Sequence, residues 1–390
     1  MTNKEKFYIT TTIPYANALP HIGFALEIVQ ADILARWNKV LGKDVFFLTG
    51  TDEHGTKNYQ TAKKQGMSVE NFVNKNVGGY KKLTKELNIT NNNFIRTTDK
   101  KAHWPGVVDL WKKLEKKGDI YKEKYSGVYC SGCERFVTEK ELVGGKCPNH
   151  PNLPVEKVSE ENYFFRLSKY SDKIIKLIKE DKLKISPEKW RKDFLSLIKD
   201  GLRDVSFSRD KSKLPWGIPV PGDEKQVMYV WCDALSNYLT GIGFPDKRYK
   251  KYWPADIHVV GKDMLRFHTG IWPGMLLSAG LPLPKEVIVH GFLTVNGRKM
   301  SKSLGNTVSP EDLIEGKLEI LSEKQKKELA EQAANDRSSK FDKTKKVKAK
   351  SSRKKQYLKD VKKWSDIKGI ETFRFYSGLG TQAGQDLNLD

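Results

Sequence analysis

Two groups of residues have types and spacings that can do chemistry. The first is Cys130-x-x-Cys133, followed after residues 134–146 by Cys147-x-x-His150. Each short pair can curl around one ion, and the loop between them can bring the pairs together. Three thiolates and an imidazole favour tetrahedral zinc over magnesium or calcium. Gly132, Gly144 and Gly145 supply the tight turns of such a knuckle. A site closed by four protein ligands is structural rather than catalytic. Cys232 lies in an apolar run and reads as a small buried hydrophobe.

The second group suits phosphate. Pro20-His21-Ile22-Gly23-Phe24 stands where a strand pattern gives way to a helical one. A helix N-terminus favours anions, Gly23 allows close backbone approach, and His21 can donate to a phosphate oxygen. Far along the chain, Gly297-Arg298-Lys299-Met300-Ser301-Lys302-Ser303-Leu304-Gly305-Asn306 forms a small-residue, cationic loop. Lys299 and Lys302 can follow charge as it develops on a transferring phosphoryl group. Alone, the first stretch reads as a capping turn and the second as a solvated basic loop. Their pairing across one α/β sheet makes phosphate chemistry the better reading.

The positioning elements follow from periodicity. Phe7 to Ile13 and Val45 to Thr49 are β-rich runs, with Leu26, Val29, Ile33, Trp37 and Val40 at helical spacing between them. Gly42 is a plausible stop for that helix. Strand, crossover helix and strand make a βαβ unit and a parallel sheet. Ile257 to Val260 and Val287 to His290 supply two more buried strands, with a helical pattern from Met264 to Ser278 between them. The expected fold class is α/β: a doubly wound, Rossmann-like parallel sheet split by a zinc-knuckle insertion.

That reading divides the chain into residues 1–117 and 226–315, the two halves of a nucleotide-binding domain, and 118–225, a connective insertion. Within the insertion, Tyr170 to Lys184 reads as an amphipathic helix with Ile174, Leu177 and Ile178 on its apolar face. Residues 316–368 form a Lys-rich insertion expected to be mobile, and 369–390 begin a further region, with Ile370 to Tyr376 β-like. Arg337 to Lys363 holds 13 Lys or Arg against 2 Asp, a surplus of 11. That is half of the formal charge of +22 on the whole chain, and it points to a polyanionic partner.

Composition excludes other classes. No run approaches the roughly 18 apolar residues of a membrane helix. The first residues lack the apolar run of a secretory signal. Four cysteines are too few for a disulfide scaffold, so reduced thiols and a cytoplasmic location are expected.

Taken together, these residues resemble a known family. Pro20-His21-Ile22-Gly23 with Lys299-Met300-Ser301-Lys302-Ser303 looks like the signature pair of class I aminoacyl-tRNA synthetases. Phe47 to Gly55, the Tyr129 to His150 knuckle, and the stretches Trp216 to Gly222 and Tyr229 to Leu235 resemble the methionyl-tRNA synthetase family in particular. The resemblance runs from about residue 6 to about residue 315. The leucyl, isoleucyl and valyl relatives carry a large editing insertion for which there is no room here.

The resemblance implies a methionine–tRNA ligase. It would activate L-methionine with ATP, with Mg2+ accompanying the nucleotide, and transfer the methionyl group to the 3′ end of tRNA(Met). It implies catalytic roles for His21, Lys299 and Lys302. It implies ATP contacts from His21, Gly23, Phe24, Glu27, Gly261, Asp263, Lys299 and Lys302. The methionine pocket would be Ile13, Tyr15, Asp52, Trp231, Phe267 and His268, with Asp52 meeting the ammonium, and zinc would sit on Cys130, Cys133, Cys147 and His150. Three departures stand out. Phe24 replaces the second signature His, which implies weaker ATP binding or turnover. Residues 316–368 are extra. The sequence stops about where the family's anticodon-binding domain begins, so a separate chain supplying that domain is a candidate partner. The alternative is a degenerate, non-catalytic RNA-binding protein on a synthetase scaffold.

Overall fold

A computed structural model describes residues 4–130, 135–137, 142–148, 154–295, 298–299, 309–311 and 387–389. Its centre is a six-stranded sheet. The strands are β1 (Lys6–Thr11), β2 (Asp44–Thr51), β3 (Asn93–Arg96), β7 (Lys184–Ser186), β12 (Ile257–Gly261) and β13 (Glu286–His290). Their order is β3-β2-β1-β12-β13-β7, and every pairing is parallel. Alternate side chains feed opposite faces, as the strand period requires. Phe7 and Ile9 of β1 enter one core cluster with Val45, Phe47 and Val259; Tyr8 enters another with Leu48, Val260 and Val287.

Helices cover both faces, which is why β1, β2, β12 and β13 bury most of their residues on both sides, whereas β3 and β7 at the edges bury one each. On the first face, α1 (Ile22–Val40) brings Ile22, Ala25, Leu26, Ile28 and Val29, and α3 (Val69–Glu86) adds Tyr80 and Leu83; α2 (Thr56–Lys64) precedes α3 and packs beside it. On the second face, α4 (Trp104–Lys116) and α9 (Trp272–Ala279) bury Trp111 and Trp272 completely. The helix expected after β1 is therefore present, but its stripe is only half buried. Leu26 and Val29 are inside, whereas Ile33, Trp37 and Val40 are 36%, 59% and 78% exposed. Past Gln30 the small residues Ala31 and Ala35 face inward, and the large ones stand opposite them.

Residues 118–225, expected as one insertion, divide. The long strands β4 (Ile120–Cys130) and β6 (Val155–Phe165) pair antiparallel, with β5 (Arg135–Val137) and β8 (Val205–Ser206) at the edges. A small sheet of β9 (Ser208–Asp210), β10 (Pro219–Val220) and β11 (Asp223–Met228) follows. Between them the chain returns to the central sheet. Helix α5 (Ser171–Lys179) ends sooner than the expected Lys184, because Asp181 takes a left-handed φ of 52° and turns the chain. Lys184 then opens β7, the edge strand beside β13, and α6 (Glu188–Leu197) follows. The periodic signal misses this because a three-residue strand has no period to show.

Beyond β13, β14 (Leu293–Val295) turns back as β15 (Arg298–Lys299) and also pairs parallel with β16 (Leu387–Leu389). The expectations for Ile370 to Tyr376, and for residues 316–368, fall outside the described residues.

Candidate functional site

Strand order fixes where a ligand can bind. From β1 the sheet grows one way through β2 and the other way through β12, so the switch point lies between β1 and β12. In doubly wound sheets the binding crevice opens there, past the carboxyl ends of the strands. The chain leaves β1 through Ile13, Tyr15 and His21, leaves β2 through Asp52, and leaves β12 through Gly261 and Asp263. The sequence motifs thus converge at one rim.

His21 is the N-cap of α1, and its Nδ1 accepts from the Gly23 N–H at 3.0 Å. A Cβ on Gly23 would meet the His21 ring at 2.7 Å, so glycine is needed for this cap. Phe24, expected among the ATP contacts, follows Gly23 on α1. It is 5% exposed, with its ring edge-on to Tyr80 at 5.1 Å, within the α1–α3 core. Glu27 faces the crevice side. Its Oε1 accepts from the Thr12 N–H at 2.7 Å, and its Oε2 lies 2.9 Å from His290 Nε2. Burial lowers the His290 pKa, but the Glu27 hydrogen bond and charge outweigh that and leave it raised. Gly261 lies beside this pair: a Cβ there would approach Asp263 Oδ1 at 3.0 Å and the His290 ring at 3.6 Å.

The second half of the crevice is aromatic. Trp231, on α7 (Val230–Leu235), stacks on Phe267 with centroids 3.7 Å apart and planes 10° from parallel. Tyr15 meets Trp231 edge-on at 6.3 Å, and Ile13 packs against the same core cluster. Phe267 and His268 sit in a π-helical turn, Phe267–Ile271, a local geometry often found at functional sites. His268 Nδ1 donates to the Met264 carbonyl at 2.9 Å, so its Nε2 accepts from the Tyr238 hydroxyl at 2.6 Å. Tyr238 lies on α8 (Asn237–Thr240). Burial pushes His268 down to about 4, leaving a neutral ring at pH 7.

Asp52 closes the cleft. Its N–H donates to Pro14 O at 2.9 Å, and its carbonyl accepts from Ala16 N at 2.8 Å, so Tyr15 and Asp52 are locked side by side. An apolar aromatic box beside a buried carboxylate suits an amino acid with a polarisable side chain and an ammonium.

The lysine loop is described only in part. Lys299 pairs with Thr294 across the β14–β15 hairpin; Lys302 lies outside the described residues. Of the zinc donors, Cys130 and Cys147 are buried in one small cluster with Val137. Gly144 and Gly145 turn the hairpin ahead of Cys147, with φ of 57° and 73°. Two thiols gathered in one apolar cluster fit a zinc knuckle; Cys133 and His150 lie outside the described residues. Cys232 is buried, as expected, and burial raises its thiol pKa.

Sequence reasoning missed a polar layer behind the cleft. Asp233 accepts from His54 and His103, His290 holds Glu27, and Arg96 makes two bonds of 2.8 and 2.7 Å to Glu53. His54 and Asp233 lie within stretches that carried the resemblance, but only the fold shows that they meet.

The crevice and sheet define a doubly wound α/β protein with a rim suited to nucleotide and amino acid together. A family model described as class I tRNA synthetases (M) matches residues 7–158 and 152–350. The chain belongs to that family, the methionyl class I tRNA synthetases. It is 50% identical over 315 residues to a methionine–tRNA ligase of Caldanaerobacter subterraneus, covering 80% of this chain and 49% of that protein. It is 45% identical over 318 residues to that of Brucella suis, covering 80% and 61%. Among solved structures, Mycobacterium tuberculosis methionyl-tRNA synthetase in complex with methionyl-adenylate aligns with a TM-score of 0.80 and 36% identity. That alignment covers 98% of this chain and 66% of the other. The chain thus spans about half the length of the first of these relatives.

Proposed function

We propose that this protein activates methionine with ATP and transfers it to tRNA(Met). The observation that carries the reading is the meeting of the Tyr15–Trp231–Phe267 box and Asp52 with the His21-capped end of α1 at one switch point. In the first step a methionine carboxylate oxygen attacks the α-phosphorus of ATP. The bond to the bridging oxygen breaks, and pyrophosphate leaves. In the second, the 3′-terminal ribose hydroxyl of tRNA attacks the methionyl carbonyl, and AMP leaves with the bonding pair. Neither step needs a covalent enzyme intermediate, so the protein's work is positioning and charge stabilisation.

We assign the roles that the family resemblance implies. Asp52 takes the substrate ammonium, and Ile13, Tyr15, Trp231, Phe267 and neutral His268 enclose the thioether. His21 and the N-terminus of α1, with Gly23, take phosphate; Glu27, Gly261 and Asp263 take the adenosine. Lys299 and Lys302 stabilise the departing pyrophosphate. Phe24, beside Gly23 at the same helix end, packs near the adenine but offers it no hydrogen bond. Bound Mg2+ would neutralise phosphate charge on the nucleotide. Zinc on Cys130, Cys133, Cys147 and His150 would hold the knuckle together. The Lys-rich segment 316–368 is a candidate tRNA contact.

Among the described residues, no helix is long and apolar enough to cross a membrane. A metal-binding role for the Cys130 and Cys147 thiols implies a reducing compartment, and a cytoplasmic location is proposed on that ground. The box and carboxylate speak for the enzyme over a degenerate RNA-binding relative, as does 50% identity to a named ligase.

ATP–pyrophosphate exchange tests the proposal. Methionine is expected to support exchange and leucine is not; no exchange with methionine at saturating ATP rejects it.

A further inference from the structure

We infer that Asp233 is a positioning residue that sets the distance between the acidic and aromatic walls of the amino-acid cleft. The inference rests on the proposed function, since it assigns methionine to that cleft. Asp233 is 1% exposed and lies two residues after Trp231 on α7. Both of its oxygens are taken by protein. His54 Nδ1 donates to Oδ2 at 2.6 Å, and His103 Nε2 donates to Oδ1 at 2.7 Å. The carboxylate is thus committed to imidazoles and meets no substrate.

The link joins the two walls from behind the cleft. His54 comes two residues after Asp52, and Asn58 Nδ2 ties the two together, donating to His54 O at 2.9 Å and to Asp52 O at 3.2 Å. On the far side, His103 Nδ1 lies 2.7 Å from Thr240 Oγ1, anchoring Asp233 to α8 as well. The Asp52 wall and the Trp231 wall, 179 residues apart at His54–Asp233, are therefore joined by one buried, charge-assisted hydrogen bond. A carboxylate this deep is tolerated only when both oxygens are held, and being held on both makes it stiff. A cleft whose width is fixed in this way selects the length of the side chain it receives.

Exchange kinetics of the full chain with methionine and with its one-methylene-longer analogue ethionine test this. Asp233→Asn is expected to raise the methionine KM about tenfold or more while the ATP KM stays within about twofold. Its preference for methionine over ethionine is expected to fall at least about threefold, because one methylene is worth about 10–200-fold in a fitted pocket. His54→Asn should shift both in the same direction, and, because Asp233 also accepts from His103, the double variant should be no worse than Asp233→Asn alone. If Asp233→Asn does not fold, His54→Asn carries the same measurement. Unchanged selectivity in a folded variant, or additive losses in the double, overturns the inference alone. Absence of methionine-dependent exchange in the unaltered chain overturns the proposed function, and the inference with it.

Discussion

The indole of Trp231 lies flat on the ring of Phe267, 3.7 Å between centroids, and meets the ring of Tyr15 in a T-shaped contact at 6.3 Å. Trp231 reaches this position from the start of a short helix and Phe267 from a π-helical turn, so the stack joins two elements that no local interaction connects. Removing the indole opens the box and unstacks its partner. Trp231→Ala is expected to raise the methionine KM about 10–100-fold, with a far smaller change for ATP. Steady-state exchange at varied methionine and then varied ATP separates the two. An ATP KM that rises as much as the methionine KM would place Trp231 outside the amino-acid pocket.

His268 predicts a pH signature in stability. Its folded pKa is about 4, chiefly because it is buried, against about 6.5 in an unfolded chain. Between those values the unfolded state takes up a proton that the folded state refuses. The contribution is therefore fully present above about pH 6.5 and lost as pH falls toward 4, amounting to about 3 kcal/mol. Burial also lowers His258 well below the usual imidazole range, which steepens the same limb. Urea unfolding from pH 4.5 to 7.5 should show a shallower acid limb for His268→Gln than for the unaltered chain. Identical limbs would mean that His268 is protonated in the fold.

Gly261, proposed to lie against the adenosine, sits beside Asp263 and His290. An added Cβ would crowd Asp263 Oδ1 at 3.0 Å and reach the His290 ring at 3.6 Å. Gly261→Ala should therefore weaken ATP by about tenfold and leave methionine within about twofold. Its unfolding midpoint should move little, because φ at Gly261 is −69°, a value any residue adopts. Equal losses for both substrates would contradict the division of the crevice.

The knuckle predicts a metal that matters for folding. Cys130 and Cys147 are buried together, and an apolar cluster this small holds little without an ion. Protein purified without chelator should carry one zinc per chain by atomic emission, and Cys147→Ser should lose it. Chelation should lower the thermal midpoint of the unaltered chain and leave that of the variant unchanged. Less than stoichiometric zinc, or no shift on chelation, would show the thiols to be packing residues.

The sheet was legible because its strands are apolar runs and its first crossover helix is long. Four of its six strands, β1, β2, β12 and β13, and α1 could be placed from apolar runs and helical spacing; the four-residue β3 (Asn93–Arg96) could not. β7 could not, since three residues after a left-handed Asp181 carry no pattern, and its place beside β13 is decided by packing. Of the candidate site, His21 with Gly23 and the cysteine pairs carry a short-range signature, while Asp52 entered only through the family resemblance. The layer that holds them was not visible. His54 reaches Asp233 and Glu27 reaches His290 across 179 and 263 residues, and no spacing rule connects residues that far apart. Phe24 shows both cases. Its position in the signature suggests a ligand contact, but no sequence rule could show that its ring packs edge-on to Tyr80, 56 residues further on.

The central claim is that this cleft selects methionine for adenylation. The most direct measurement is mass spectrometry of the products formed when the purified chain is mixed with ATP, Mg2+ and all twenty amino acids, with inorganic pyrophosphatase present to pull the reaction forward. Methionyl-adenylate, or the AMP and methionine released from it, should form in step with the enzyme, and Asp52→Asn should reduce it about 10–100-fold. Formation of a different aminoacyl-adenylate, or of none at all, would contradict the account.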